Sequence, residues 1–299
     1  MPTESHIESP QHRPPQDLSC PMLQIVTGCT HGKCRFCDIF TGVPFQMSPM
    51  DEIVSDIEAI ARTAMGNTHR IYLTGGNPFA LPNDKLFAVF DAIEQRMPQV
   101  NSYGGFCRIM DIKRKSDEDL RALARRGVND ITIGAEGGYD PALAFMQKGH
   151  TAADIVEQAR RLREAGIDFT FFYLVGMAGA GAGQENALAT ARVFSEARPK
   201  RVLVVCMTPT PTWPLRDDIA AGRWTPPTEL EMAQEIRTFV EHLTCPCYVN
   251  SSHDTDVIRF EGSVPHNQQG MLELLDNRIP LLNEKAARRM REMLHHTTF

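Results

Sequence analysis

Gly28-Cys29-Thr30-His31-Gly32-Lys33-Cys34-Arg35-Phe36-Cys37-Asp38 is the stretch from which the rest of the chain is best read. It follows a short apolar run, Met22 to Val26, that reads as a strand. Three closely spaced thiolates at a strand end can hold three irons of a [4Fe–4S] cube and leave the fourth iron open, which suits chemistry better than a purely structural role. A tetrahedral zinc site with a fourth ligand such as His31 uses the same residue types. Three unrelated buried thiols are the third reading. The spacing favours the cluster over zinc.

Outward from this run, strand-like and helix-like segments alternate. Ile53, Ile57, Ile60, Ala61 and Ala64 share one helical face, as a 3.6-residue period requires. Arg70 to Thr74 reads as a buried strand ended by Gly75-Gly76, and Leu86, Val89, Phe90 and Ile93 mark the next helix. Tyr103 to Ile109 is a strand candidate interrupted by Gly104-Gly105. Ser116 is placed to cap a helix whose first turn carries Asp117, Glu118 and Asp119, acids that suit a helix N-terminus. Asp130 to Ala135, Ile167 to Val175 and Arg201 to Met207 read as further strands, with helices after Thr151 and from about Gln184 to Ala197. Six strand–helix repeats imply a parallel sheet with right-handed crossovers. The expected fold is therefore α/β, a partial (β/α)6 TIM-like barrel, preferred to an open doubly wound sheet.

The expected organisation is a flexible arm at 1–19, a barrel core at 20–208 and an α-rich C-terminal extension at 209–299 packed on the barrel. That extension holds a helix from Leu230 to Leu243, a brief strand at Cys247-Tyr248-Val249 and a final basic helix from Leu281 to His295. The chain has 299 residues, 42% of them hydrophobic, which suits one barrel of roughly 200–250 residues plus extensions. A net charge of −6 without a Lys/Arg block argues against tight nonspecific nucleic-acid binding. No run approaches the roughly 20 apolar residues of a membrane span, and the N-terminus lacks the apolar core of a secretion signal, so a cytoplasmic location is expected. Eight cysteines in this context read as thiols or metal ligands, not as a disulfide framework.

From about residue 20 to 280 the chain resembles the radical S-adenosylmethionine (radical SAM) superfamily, and in particular its coproporphyrinogen-oxidase-like or elongator-like branch. The branch motif G-C-S-H-N-x-C-x-F-C stands here as Gly28 to Cys37, with four residues between the first two cysteines where most of the superfamily has three. Asp111-Ile112-Lys113-Arg114-Lys115-Ser116, Gly134-Ala135-Glu136-Gly137-Gly138 and Met146-Gln147-Lys148-Gly149-His150-Thr151 are also branch-like. Ser251-Ser252-His253 stands where the branch has S-N-H, and Glu261-Gly262-Ser263-Val264-Pro265 where it has K-G-T-L-P. Asp256 replaces an Asn three residues past that His, and Asn77 replaces the acid that usually follows the glycine pair. These departures point to a pocket shaped for a different substrate or reaction.

The resemblance implies that Cys29, Cys34 and Cys37 bind a [4Fe–4S] cluster whose open iron chelates S-adenosylmethionine. Reductive cleavage would then give a 5′-deoxyadenosyl radical that abstracts hydrogen from a small-molecule substrate, with specialised metabolism one setting. A reducing partner such as flavodoxin or ferredoxin is implied. Gly75, Gly76 and Asn77 would meet the methionyl amino group, where missing Cβ atoms allow close approach. A plain turn is the alternative. Glu136 would accept from the ribose hydroxyls. Arg108 would pair with the methionyl carboxylate, with Arg160 or Arg161 as alternatives. Gly176 and Met177 would lie near adenine. Phe36 either covers the cluster or adenine, or simply packs. Lys33 and Arg35 either raise the cluster's potential or are solvated. His253, with Asp256 nearby, is the candidate proton donor or acceptor on the substrate side, a structural histidine being the alternative. A Cys206, Cys245 and Cys247 auxiliary site is a weak signal. Modification of RNA or protein, and a non-enzymatic zinc or iron–sulfur protein, remain competing functions.

Overall fold

The computed structural model describes residues 13–298, without the side chains of residues 291, 292 and 294–298. The first twelve residues of the expected arm lie outside the described residues. Backbone hydrogen bonds order the strands β1-β4-β5-β6-β7-β8-β9-β10 in one mostly parallel sheet, and β2-β3 in a separate pair. Among the described residues the order has two edge strands and does not close, as a partial barrel requires. The chain divides into two compact units, one of residues up to Gly32, Ile39–Ile133 and Arg161–Phe169, the other of Lys33–Asp38, Gly134–Arg160 and Thr170–Phe299.

In the first unit, β1 (Met22–Gln24) leads into β2 (Val26–Thr27), which pairs with β3 (Gln46–Met47). Then come α1 (Met50–Ala61), β4 (Arg70–Thr74), α2 (Asn83–Arg96), β5 (Ser102–Cys107), α3 (Ile109–Lys113), α4 (Asp117–Arg125) and β6 (Ile131–Glu136), whose last three residues belong to the second unit. β1 and β4 are parallel, with Met22 opposite Tyr72, and β4 and β5 are parallel, with Arg70 opposite Ser102. Ile71, Tyr72, Leu73 and Thr74 are all buried, the signature of a strand covered on both faces rather than of an alternating one. Ile53 and Ile57 on α1, and Leu86, Val89, Phe90 and Ile93 on α2, supply the helical side of this core. Phe90 stacks on Tyr103 with ring centres 4.0 Å apart. Ser116 caps α4 in a reciprocal pair with Asp119, as the sequence signals.

β5 runs straight through Gly104-Gly105, where the sequence suggests an interruption. A Cβ at Gly104 would collide with the guanidinium of Arg70. That guanidinium donates to Ser102 Oγ (2.7 Å) and pairs with Asp17 Oδ1 (2.6 Å). Asp17 is buried, so this described piece of the N-terminal segment is tied to the core. β5 also stops two residues short of Ile109. Asp111 Oδ2 accepts from Arg108 N at 2.9 Å and starts α3 there.

The second unit continues from β6 with α5 (Asp140–Phe145) and α6 (Ala152–Ala165), whose last turn belongs to the first unit. β7 (Phe169–Val175), α7 (Gly183–Ala197), β8 (Arg201–Cys206), α8 (Leu215–Ala220) and α9 (Glu229–His242) follow. The chain ends with β9 (Cys247–Ser251), β10 (Phe260–Val264), α10 (Gln268–Arg278) and α11 (Glu284–Thr298). β7, β8 and β9 are parallel, and β10 turns back antiparallel on β9 with Gly262 opposite Val249. Phe171, Tyr173, Phe194 and Phe239 form an aromatic centre, with the Tyr173 and Phe239 rings 4.6 Å apart. The C-terminal region is thus helix-rich and also prolongs the sheet. Phe260, Gly262 and Val264 are buried, with Glu261 exposed between the first two, a period-2 pattern that the central glycine obscures.

Candidate active site

In the first unit the loop after β4 lies against the start of the cysteine run. A Cβ at Gly75 would strike the backbone of Val26, and one at Gly76 would strike Gly28 O and lie 2.9 Å from Cys29 Cα. Gly75 also has φ +109°, a conformation that favours glycine. Asn77 is fully buried and all its donors and its acceptor are used. Its Oδ1 accepts from Thr30 N (3.0 Å), and its Nδ2 donates to Thr30 Oγ1 (2.7 Å) and Asp111 Oδ2 (2.8 Å). Arg108 Nη1 reaches the same Thr30 hydroxyl at 3.4 Å. The residue after the first cysteine is therefore fixed by side chains from the ends of β4 and β5. Asp111 Oδ1 is buried with no partner among the described residues, and burial raises the pKa of this carboxyl. An unpaired acceptor beside a glycine corner suits a cationic or amino ligand.

In the second unit Glu136 ends β6 with φ +68°, a strained backbone for a non-glycine residue and a common mark of functional positions. Its Oε1 is 3.2 Å from Lys148 Nζ, and both side chains are largely buried. That ammonium also lies 5.4 Å from the centre of the Phe36 ring, within the range of a cation–π contact. Glu136 and Phe36 are thus joined through Lys148. Gly176 and Met177 follow β7 and are buried. The Gly176 N–H donates to Glu235 Oε2 (3.1 Å), while Tyr173 OH and Asn186 Nδ2 donate to Glu235 Oε1, each at 2.7 Å. Burial pushes the Glu235 carboxyl up to about 7.

Asp256 and His253 do meet, but with the carboxylate buried. Asp256 accepts from His253 N (2.9 Å), Ser251 Oγ (3.2 Å) and Cys206 N (3.0 Å). Burial pushes its carboxyl up to about 7. It stitches the end of β8 to the turn after β9. His253 is half-exposed, with Nδ1 2.8 Å from Thr255 Oγ1. Arg160 is not gathered with these residues. It stands exposed on α6, and its Nη2 pairs with Glu157 at 2.7 Å. Arg161, one step around the helix, binds Asp117 and the carbonyls of Ile112 and Lys115.

Cys29, Cys34 and Cys37 are half-exposed thiols, where the other five cysteines are buried. Among the described residues no three His, Cys, Asp or Glu side chains converge on the position of a single ion. A cube takes one thiolate per iron and spreads them over separate corners. In the first unit, the half-exposed Cys29 thiol, a side-chain-free glycine corner against it and a partnerless buried acceptor fit one corner of a [4Fe–4S] cluster with an amino-acid-like ligand. Thr30, Asp111, Lys148 and Glu235 carry no individual role in the sequence reading. Each acts through a partner at least 12 residues away. The cysteine motif holding Thr30 and the branch-like stretches holding Asp111 and Lys148 are the signals the sequence offers; Glu235 has none.

A thiol-bearing loop served by the ends of parallel strands is what a radical SAM site consists of. Residues 23–189 match the model of the Radical SAM superfamily, and the chain belongs to that superfamily. Membership brings a [4Fe–4S] cluster and S-adenosylmethionine as cofactors. Among curated proteins the chain is similar to the heme chaperone HemW of Bacillus subtilis, at 27% identity over 145 residues, 47% of this chain and 38% of that protein. HemW of Lactococcus lactis matches at 26% over 141 residues, 47% of this chain and 36% of that one. The chain thus spans well under half the length of these relatives. Among solved structures, the radical S-adenosylmethionine methyltransferase TsrM of Kitasatospora setae gives a TM-score of 0.54 at 18% identity, covering 68% of this chain and 37% of that one. Elp3 of Methanocaldococcus infernus gives 0.55 at 13%, covering 89% and 64%, which agrees in fold with the elongator-like branch. Among the described residues no helix is long and apolar enough to cross a membrane.

Proposed function

We propose that the chain is a radical SAM enzyme acting on a small-molecule substrate, with electrons from a low-potential protein such as flavodoxin or ferredoxin. When bound, the cluster and S-adenosylmethionine supply a one-electron cleavage and the radical that takes hydrogen from substrate. The chain's own residues bind and orient. Cys29, Cys34 and Cys37 hold iron. Gly75, Gly76 and Asn77 present the methionyl amino group to the buried side of the site, next to Asp111. Arg108 meets the methionyl carboxylate and Glu136 the ribose hydroxyls, its carboxylate aimed by Lys148. The Gly176-Met177 turn, anchored by Glu235, lines the adenine side. His253 handles protons on substrate, and Asp256 holds its turn in place. A cytoplasmic setting belongs to the same proposal, since accessible reduced thiols need a reducing compartment.

The observation that carries this reading is the fastening of the Gly75-Gly76-Asn77 corner onto Cys29 and Thr30. Anaerobic reconstitution tests it. A brown protein with about four irons that releases 5′-deoxyadenosine from S-adenosylmethionine under dithionite is the expected result. A colourless zinc protein that cleaves nothing overturns it. The curated relatives favour a second reading, heme handling as the name HemW describes. Hemin titration addresses it: a saturable Soret shift at one equivalent supports it, and unsaturable binding removes it.

A further inference from the structure

The middle of the cysteine run is gripped from two sides, by the end of α5 and by the start of α8. Within the second unit, Arg35 N donates to Met146 O (3.1 Å), and Arg35 O accepts from Leu215 N (2.9 Å). Both backbone polar groups of Arg35 are therefore spoken for. The Arg35 guanidinium lies over the Phe145 ring, 4.4 Å from its centre, and its Nη1 is 3.1 Å from Asp218 Oδ2. Asp218 sits on α8, and its side chain is 7% exposed, against 26% for Arg35. The other oxygen, Oδ1, takes Arg223 Nε at 2.7 Å. Cys37 N donates to Cys34 O at 3.3 Å and closes the turn. The sequence left Arg35 open between a tuning charge and a solvated one. Stacked on an aromatic ring and paired with a buried carboxylate, it is held in place although part of it meets solvent.

We propose that Asp218 is a positioning residue for the iron–sulfur cluster. Through Arg35 it fixes the turn that presents Cys34 and Cys37, and it balances a permanent positive charge held beside them. The inference rests on the radical SAM reading above. Groups that orient metal ligands from behind typically change metal affinity 10–100-fold when removed. Net charge beside a cluster moves its reduction potential. A carboxylate serving as one half of a fixed pair has both effects, whereas a surface salt bridge has neither.

The test uses the full chain, purified and reconstituted without oxygen, in four forms: wild type, Asp218→Asn, Arg35→Gln and Arg223→Gln. Iron loss to a chelator is followed by absorbance, the midpoint potential by redox titration with electron paramagnetic resonance, and folding by circular dichroism. Asp218→Asn and Arg35→Gln are expected to lose iron about tenfold faster than wild type. Their midpoints are expected to move in opposite directions, upward for Asp218→Asn, which leaves the cation uncompensated, and downward for Arg35→Gln, which removes it. Arg223→Gln, which leaves the Arg35 pair in place, stays within about twofold of wild type. Should Asp218→Asn fail to fold, the half-exposed Arg35→Gln decides alone. In Arg35→Gln, a wild-type rate of iron loss together with an unmoved or raised midpoint overturns the proposal, as does a wild-type rate with an unmoved or lowered midpoint in Asp218→Asn. Failure of the wild type to assemble any cluster sinks the functional reading instead.

Discussion

Replacing Glu235 by glutamine isolates the titration of one buried acid. The native carboxyl is fully buried and ionises at about 7 instead of 4.5, chiefly because burial penalises its charged form. The unfolded chain releases the same proton near 4.5. Between those values the native state therefore holds more protons than the unfolded state, so this group's contribution to stability is present below 4.5 and falls as pH rises to about 7. One pKa unit is worth 1.36 kcal/mol, so an interval of about 2.5 amounts to about 3 kcal/mol. Glutamine does not titrate, and it keeps one of the two acceptor oxygens that Tyr173, Asn186 and Gly176 use. Urea unfolding of both proteins at intervals from pH 4.5 to 8 measures the difference in stability. Wild type minus Glu235→Gln is expected to drop by about 3 kcal/mol across that range. Asp256 titrates in the same window, so only the difference between the two proteins isolates Glu235. A flat difference would refute the reasoning, because it would mean that the Tyr173, Asn186 and Gly176 donors already hold an ionised carboxylate.

Cys34→Ala is expected to abolish cluster assembly with little change in circular dichroism, and full retention of iron would remove it as a ligand. Asn77→Ala deletes three hydrogen bonds in a fully buried position and should cost about 3 kcal/mol in urea unfolding; a loss well under 1 kcal/mol would contradict the geometry. Asn77→Asp sets a second carboxylate against Asp111, so its penalty should be larger at pH 8 than at pH 5, where one of the two can keep a proton. Glu136→Ala should weaken S-adenosylmethionine binding by calorimetry at least tenfold, with Lys148→Met weakening it less. Unchanged affinity in Glu136→Ala would take it out of the site.

What the sequence made legible was local. The spacing of Cys29, Cys34 and Cys37, the glycine pair after Leu73-Thr74 and the Ser116 cap each declare themselves within ten residues. The alternation of strands and helices is a sum of such signals. The long-range polar contacts were not legible. Asn77 reaches Asp111 and Thr30 across 34 and 47 positions, and no periodicity marks a hydrogen bond that the sheet order brings about. Asp256 looked like a reacting group because it is an acid near a histidine, but its burial beneath three donors appears only once β8 and β9 are side by side. Arg160 and Arg161 were indistinguishable as a pair of cations, and the turn of α6 sends only the second to buried partners. The motif marks Glu136 as a candidate, while its left-handed backbone has no signal in the sequence.

The reach of the α8 grip sets a minimum length for a working fragment. Leu215 and Asp218, which close around Arg35, lie beyond residue 189, where the superfamily match stops. A chain trimmed to that match would keep every thiol of the motif and lose part of what shapes the turn between the second and third. Fragment libraries cut by homology boundaries would therefore retain the right chemistry on a slack loop, and a poor iron yield from such a fragment would say nothing against the parent.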